Sequence, residues 1–281
     1  MCQVIQADSA ASVQARSVDM VYMDPPFFTQ REWRGTAGAF SDRWSFDDLA
    51  AKRLTSLPDT HASCLRALTA GQPDLLAYLL AMRLMIASAR RTLRPTGTLW
   101  LHCDDTASAY LRILLDMVFG AARFWGVVTW HRSAGANTTT RGWARVHDSI
   151  IVYMRTGAAL ARLSGPAKSL SGAHLYREVD GVTGPHLSAI LNDRIGSASD
   201  ERLGYPTQKP IRLLSRLIEA ATLPGDLVLD PCCGSGTTLV AACNLGRRAI
   251  GIDRSADAIA TTRLRIQKRP AYQPDLFGVS A

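Results

Sequence analysis

The sequence predicts an α/β protein built on a doubly wound, mostly parallel sheet. Three observations carry this. Short apolar runs alternate along the chain with stretches of helical periodicity, the pattern of strand–helix–strand units. Several of those runs are continuously apolar, as expected of strands covered on both faces. Two of them end in polar, turn-forming loops: Asp24-Pro25-Pro26-Phe27 after residues 18–23, and Asp230-Pro231-Cys232-Cys233-Gly234-Ser235-Gly236-Thr237-Thr238 after residues 227–229. In open α/β sheets, the C-terminal ends of the strands are where ligands sit.

The strand candidates are residues 4–7, 18–23, 98–103, 126–130, 150–154, 227–230 and 249–253. Helical periodicity covers 75–93, which stops before Pro95-Thr96-Gly97, and 107–119, which stops at Gly120. Helices are also predicted over 211–221 behind Pro210, over 237–245 before Gly246, and over 256–267 behind the N-cap candidate Ser255. Between 124 and 155 two apolar runs are joined by 132–148 with no helical pattern, which reads as an antiparallel hairpin with a long loop. Two stretches stand outside the alternation. Residues 34–72 are polar, mixed and read as a helical insertion. Residues 157–204 are rich in Gly, Ser, Ala and Arg, with weak periodicity.

A chain of 281 residues, 47% hydrophobic, has the composition of an ordinary globular protein with one large core. No basic segment followed by an apolar run opens it, and the apolar stretch 75–89 is broken by Arg83 and too short for a bilayer. A cytoplasmic, non-membrane protein is expected. The net charge of +8, carried almost wholly by arginine, suits a polyanionic partner, although GC-rich coding also favours arginine. The six cysteines show no metal-binding spacing, so no metal site is predicted, and reduced structural thiols are expected.

The two glycines of the second loop, Gly234 and Gly236, let the backbone turn sharply and approach a ligand closely. Neither GxGxxG nor GxxxxGK[ST] is present. A lone GxG also suits phosphates, but Asp230 before the turn and Asp253 at the end of the next strand suit an adenosine ligand, whose ribose offers two hydroxyls. The first loop, Asp24–Phe27, resembles the base-holding motif of the DNA amino-methyltransferases, which implies a different task. An exocyclic amine on a nucleobase is a poor nucleophile because its lone pair is delocalised into the ring. Two acceptors, the Asp24 carboxylate and the Pro25 carbonyl, can bind its hydrogens and stabilise the charge that develops on nitrogen. Pro25 and Pro26 stiffen the loop, and Phe27 offers a ring for stacking on a flipped base.

Taken together, these motifs resemble the β group of DNA amino-methyltransferases, in which the catalytic motif precedes the cofactor motif. The resemblance rests on Asp24–Phe27, on Gly204-Tyr205-Pro206-Thr207-Gln208-Lys209-Pro210, on Pro224-Gly225-Asp226, on the loop 230–238, on Leu245-Gly246-Arg247-Arg248 and on Gly251-Ile252-Asp253. It extends to Leu99-Trp100-Leu101-His102-Cys103-Asp104-Asp105 and to Asp42-Arg43-Trp44, and spans about four-fifths of the chain. It implies a Rossmann-like sheet with an antiparallel edge hairpin and circularly permuted motif order, in a single methyltransferase domain over 1–281. It also implies S-adenosylmethionine as cofactor and double-stranded DNA as substrate. The implied catalytic residues are Asp24, Pro25, Pro26 and Phe27. The implied cofactor residues are Asp8, Thr207, Gln208, Lys209, Pro210, Asp230, Pro231, Cys232, Gly234, Ser235, Gly236, Thr237 and Asp253. Within that set, the 207–210 turn would hold the methionine end and Asp8 the adenine amine.

Asp-Pro-Pro-Phe resembles the N6-adenine members, whereas N4-cytosine members more often carry serine in place of Asp24. N4-cytosine methylation is the alternative, followed by methylation of an RNA amine or a protein amide and by a non-catalytic DNA-binding relative. The chain departs from the family at Cys232, where phenylalanine is usual, and at Phe28, where asparagine is common. Cys232 lies inside the glycine loop, which is the wrong place for a Pro-Cys nucleophile. His102 reads as a structural histidine, and Trp44 as either core or base contact. The segment 157–204 falls where the family reads its target, with Arg177, Arg194 and Arg202 as candidate DNA contacts, lying as an extended arm on the sheet. So small a reader predicts a homodimer, with Leu49, Leu54, Leu57 and Leu65 as anchors. Nothing in the sequence identifies the recognition site or an accompanying restriction enzyme.

Overall fold

Two strands separated by two hundred residues lie side by side at the centre of the sheet. β2 (Val18–Met23) pairs in parallel with β11 (Leu227–Asp230), with Met20 opposite Val228 and Val21 opposite Leu229. Outward from β11 come β12 (Arg248–Asp253) and β1 (Cys2–Gln6), both parallel. Outward from β2 come β5 (Leu93–Cys103), β7 (His147–Met154), β6 (Phe124–His131) and β10 (Ile190–Leu191). Only β7 runs against its neighbours, pairing antiparallel with both β5 and β6. The predicted hairpin is therefore present, but β10 adds in parallel outside it, so the hairpin is not the sheet's edge. The computed structural model describes residues 2–8, 10–132, 146–160, 176–179, 182–185, 190–193, 195 and 201–268.

The side chains of β2 explain the two layers. All six of its residues are buried. Val21 and Met23 face a core shared with α3 (Pro73–Thr92) and α4 (Ser108–Phe119). Met20 and Tyr22 face the opposite core, shared with α5 (Ile211–Ala221) and α6 (Thr237–Asn244). Strand alternation thus buries both faces, and the helices that follow β2 and β11 lie on opposite layers. That reversal makes the β2–β11 boundary the topological switch point, and the crevice opens at the C-terminal ends of these two strands. Asp19, buried within β2, binds Arg94 at 3.1 Å and accepts from the Leu227 amide at 2.9 Å, which locks the register of the central strands. α7 (Ala256–Lys268) follows β12.

Residues 34–72 are not helical throughout. They open within a β-hairpin, β3 (Glu32–Gly35) with β4 (Gly38–Ser41). Two helices follow: α1 (Asp48–Thr55), capped by Asp47 accepting from the Ala50 amide, and α2 (Asp59–Leu68). The hairpin is held from across the crevice, since a Cβ on Gly35 would meet the Gly204 carbonyl and one on Gly38 the Tyr205 ring. Of the four leucines expected to anchor a dimer, Leu54 and Leu65 are buried and Leu57 packs against the protein's own core, while Leu49 is exposed. The buried faces of α1 and α2 pack on α3 within the chain's own core.

In 157–204, β8 (Tyr176–Val179) and β9 (Val182–Pro185) form a separate antiparallel pair. After β10, the Asp193 carbonyl accepts from the Trp130 indole at 2.7 Å, and its carboxylate pairs with Arg212 and Arg216. Arg202 donates to the Ile195 carbonyl at 3.4 Å. The Arg177 side chain, Arg194 and the loop residues 133–145 lie outside the described residues. Cys2 and Cys243 lie side by side, because β1 beside β12 brings the first strand close to the end of α6.

Candidate active site

Asp24 stands at the end of β2, at the mouth of the switch-point crevice, and directly beside it β11 ends in Asp230. The Asp24 carboxylate is paired with the Lys209 ammonium, Nζ to Oδ2, at 2.5 Å. Pro25 is buried, and Phe27 is half-buried and stacked on His102 with ring centroids 5.7 Å apart. Lys209 Nζ lies 5.2 Å from the centroid of the Phe27 ring. The loop that follows is wound around one buried carboxylate. Asp42 accepts from the Phe28 amide, from the Thr29 amide and hydroxyl, and from the Trp44 indole, all at 2.6–3.0 Å. This clamp holds Phe28 at φ +62°, a conformation that costs a bulky L residue energy. Phe28 packs on Tyr78, and so does Trp44, edge-on, so both aromatic rings turn to the core.

Behind Phe27 runs a buried chain of polar groups. Tyr22 hydroxyl meets His102 Nδ1 at 2.7 Å, His102 Nε2 meets Asp148 Oδ2 at 3.2 Å, and Arg132 Nε lies 3.1 Å from Asp148 Oδ1. Burial works to raise the Asp148 carboxyl, but the hydrogen bond and charge of His102, with Lys209 and Arg132 nearby, hold it below the ordinary range. Every nitrogen of His102 is engaged, which suits the structural histidine expected from the sequence.

The glycine loop turns where Gly234 and Gly236 take φ +49° and +78°. A Cβ at Gly236 would come within 2.7 Å of the Thr262 side chain, so only glycine fits there. The loop is tied from beneath by α7: Thr262 donates to the Gly234 carbonyl, and Arg265 donates to the Ser235 carbonyl and the Thr237 hydroxyl. Asp253 accepts from the amides of Gly234 and Ser255, one on each oxygen. Asp230, buried beneath the loop, accepts from Thr238 at 2.5 Å and from the Cys232 amide at 3.0 Å. Its carboxyl is pushed up to about 7, mainly by burial and further by Asp24 and Asp253, against the pull of the two hydrogen bonds. Burial and the surrounding carboxylates also push the Cys232 thiol well up, the reverse of what an activated nucleophile needs.

The predicted cofactor residues fall into three groups. Asp230, Pro231, Cys232, Gly234, Ser235, Gly236 and Thr237 form the loop itself, Asp253 hydrogen-bonds to it, and Thr207–Pro210 lies opposite. Asp8 is exposed just beyond β1, whose end is tied to β12 by the Ala7 amide donating to the Asp253 carbonyl. In the 207–210 turn, Gln208 donates to the Glu201 carbonyl and accepts from the Leu203 amide, while Glu201 caps α5 by accepting from the Ile211 amide. Sequence reasoning passed over Tyr22, Asp148 and the Asp42 clamp as functional groups. Their signal is only that polar residues interrupt otherwise apolar strands or follow a hairpin.

The profile of the DNA methylase family matches residues 18–263. The chain belongs to the DNA methylase family. Among its relatives, the Type II methyltransferase M.EcaI of Enterobacter cloacae is 24% identical over 95% of this chain and 69% of its own length. The solved M1.HpyAVI–SAM complex superposes with a TM-score of 0.57 at 19% identity, over 95% of this chain and 99% of that one. The cytosine-N4-specific PvuII DNA methyltransferase does so with 0.58 at 15% identity, over 94% and 86%. The methylase thus carries the N6/N4 DNA methyltransferase fold, with its two motif loops brought to one crevice.

Proposed function

We propose that this DNA methyltransferase methylates the N6 amine of adenine in double-stranded DNA, with the base flipped into the crevice between β2 and β11. The supporting observation is Asp24 itself: an acceptor at the first position of Asp-Pro-Pro-Phe, half-buried at the switch point and paired with Lys209. When bound, S-adenosylmethionine would supply a methyl group carried on a sulfonium. The crevice suits that cation. Asp24, Asp230 and Asp253 lie close enough to act on one another, and a positive ligand relieves their mutual repulsion. Asp253 uses one acceptor site on each oxygen within the protein, which leaves others for ribose hydroxyls. Glycines 234 and 236 bring bare backbone to the ligand. Asp24 accepts one amine hydrogen and the Pro25 carbonyl the other, and both acceptors strengthen as the nitrogen turns positive.

N4-cytosine methylation is the second reading. The geometry of two acceptors serves either amine, and one structural neighbour is named cytosine-N4-specific. Two further elements belong to the proposal. The segment 157–204 reads the target sequence, and two copies of the chain associate through the exposed Phe46 and Leu49. The deciding experiment incubates DNA from a methylation-deficient host with labelled S-adenosylmethionine and identifies the modified nucleoside by mass spectrometry. N6-methyladenine from the wild type, and none from Asp24→Ala with cofactor affinity retained in calorimetry, is expected. N4-methylcytosine selects the second reading, and loss of cofactor affinity in Asp24→Ala overturns the assignment of Asp24 to the base.

A further inference from the structure

We propose that Lys209 is a positioning residue for the Asp24 carboxylate and not a ligand of the cofactor. This rests on the reading of Asp24 as the acceptor for the base. The resemblance assigned the whole 207–210 turn to the methionine end of S-adenosylmethionine, and the side chains of that turn divide differently. Lys209 is 8% exposed. A buried ammonium needs a countercharge and acceptors, and those it has lie mostly on the base side of the crevice. Its Nζ is 2.5 Å from Asp24 Oδ2, 5.2 Å from the Phe27 ring centroid, and 3.5 Å from the Thr207 carbonyl, its one contact on its own turn. Asp148, behind Phe27, also feels its charge.

The turn is built to deliver that side chain. Thr207 sits at φ +59°, Gln208 is held by the Glu201 carbonyl and the Leu203 amide, and Pro210 leads directly into α5. The backbone under Lys209 is therefore fixed from both ends, and its ammonium bridges two loops 185 residues apart in the chain. A carboxylate on a free loop samples several rotamers, whereas one with Oδ2 committed to a charged donor keeps Oδ1 aimed. The proton that the methylated amine sheds then goes to water.

The test compares full-length wild type, Lys209→Met and Lys209→Arg. Affinity for S-adenosylmethionine is read by calorimetry, and single-turnover methyl transfer is read on DNA from a methylation-deficient host. Lys209→Met should bind S-adenosylmethionine as tightly as wild type or more tightly, while its single-turnover rate falls about ten- to hundredfold, as for loss of one charged hydrogen bond. Lys209→Arg should recover most of the rate. A Met variant that transfers at the wild-type rate overturns the proposal. So does one whose cofactor affinity falls in step with its rate. Should the Met variant fail to fold, Lys209→Gln, which keeps a donor to Asp24 without the charge, is held to the same two criteria. A wild-type protein that modifies no DNA at all overturns the functional reading instead, which keeps the two failures apart.

Discussion

At the scale of single residues, the crevice holds an unusual concentration of acid for a protein of net charge +8. Asp230 is its most perturbed member. Its folded-state carboxyl sits at about 7, above the ordinary 3.8, because it is buried near Asp24 and Asp253. The sign follows from proton counting. Below about pH 4 both folded and unfolded chains carry the proton, and the contribution to stability is whole. Between about 4 and 7 only the folded state keeps it, so stability falls as pH rises through that window. Asp230→Asn keeps an acceptor for the Cys232 amide and turns its amide toward the Thr238 hydroxyl, which then accepts instead of donating, but it cannot ionise. We expect wild type to lose on the order of 2 kcal/mol more than Asp230→Asn between pH 5 and 8 in urea unfolding without cofactor. Glu219, also raised to about 7 by burial, adds a slope common to both proteins, so the difference isolates Asp230. Parallel slopes would show that Asp230 is ionised in the folded state at the lower pH.

At the scale of elements, the loop that begins at Asp24 owes its shape to a neighbour in sequence more than to its own prolines. Pro25 and Pro26 set the exit from β2, but residues 28–30 turn through two positive φ angles, at Phe28 and Gln30. Four donors on one Asp42 carboxylate hold them there. Gln30 adds to the clasp by accepting from the Trp44 amide at 2.9 Å. Asp42→Ala should cost about 3 kcal/mol in chemical denaturation, because it strands part-buried amides and removes the support for a strained residue. Asp42→Asn should recover part of this. A change below about 1 kcal/mol would mean that water replaces the carboxylate without loss and that the loop is held elsewhere.

At the scale of the whole molecule, arginine-rich charge is the counterpart of the acidic crevice. DNA binding should therefore weaken steeply as salt rises, since each displaced counterion adds to the slope. Sedimentation of micromolar protein, alone and with duplex DNA, at low and high salt, reads both this and the association of two chains. A dimer at both salts, with DNA lost at the higher one, is the expected outcome. A salt-independent complex would remove the phosphate backbone as the main contact. A monomer throughout would leave Phe46 and Leu49 as isolated surface residues, which are common on soluble proteins.

The strands and helices of the sheet were legible in the sequence because doubly covered strands read as unbroken apolar runs. Val18–Met23, Leu227–Asp230 and Ile211–Ala221 were placed to the residue. The two motif loops were legible as well, since Asp-Pro-Pro and Gly-x-Gly each carry their own local geometry. What the sequence did not contain was distance. The Asp24–Lys209 pair, the Tyr22–His102–Asp148–Arg132 chain and the packing of the β3–β4 hairpin against Gly204 and Tyr205 all join segments far apart in the chain. The hairpin itself is short and mostly exposed or half-buried, so it offers no apolar pattern to read. Local propensity and periodicity decide which residues form strands and loops. Only the order of the strands, set by how two buried faces pack, decides which loop meets which, and here that order brings Lys209 onto the Asp24 carboxylate.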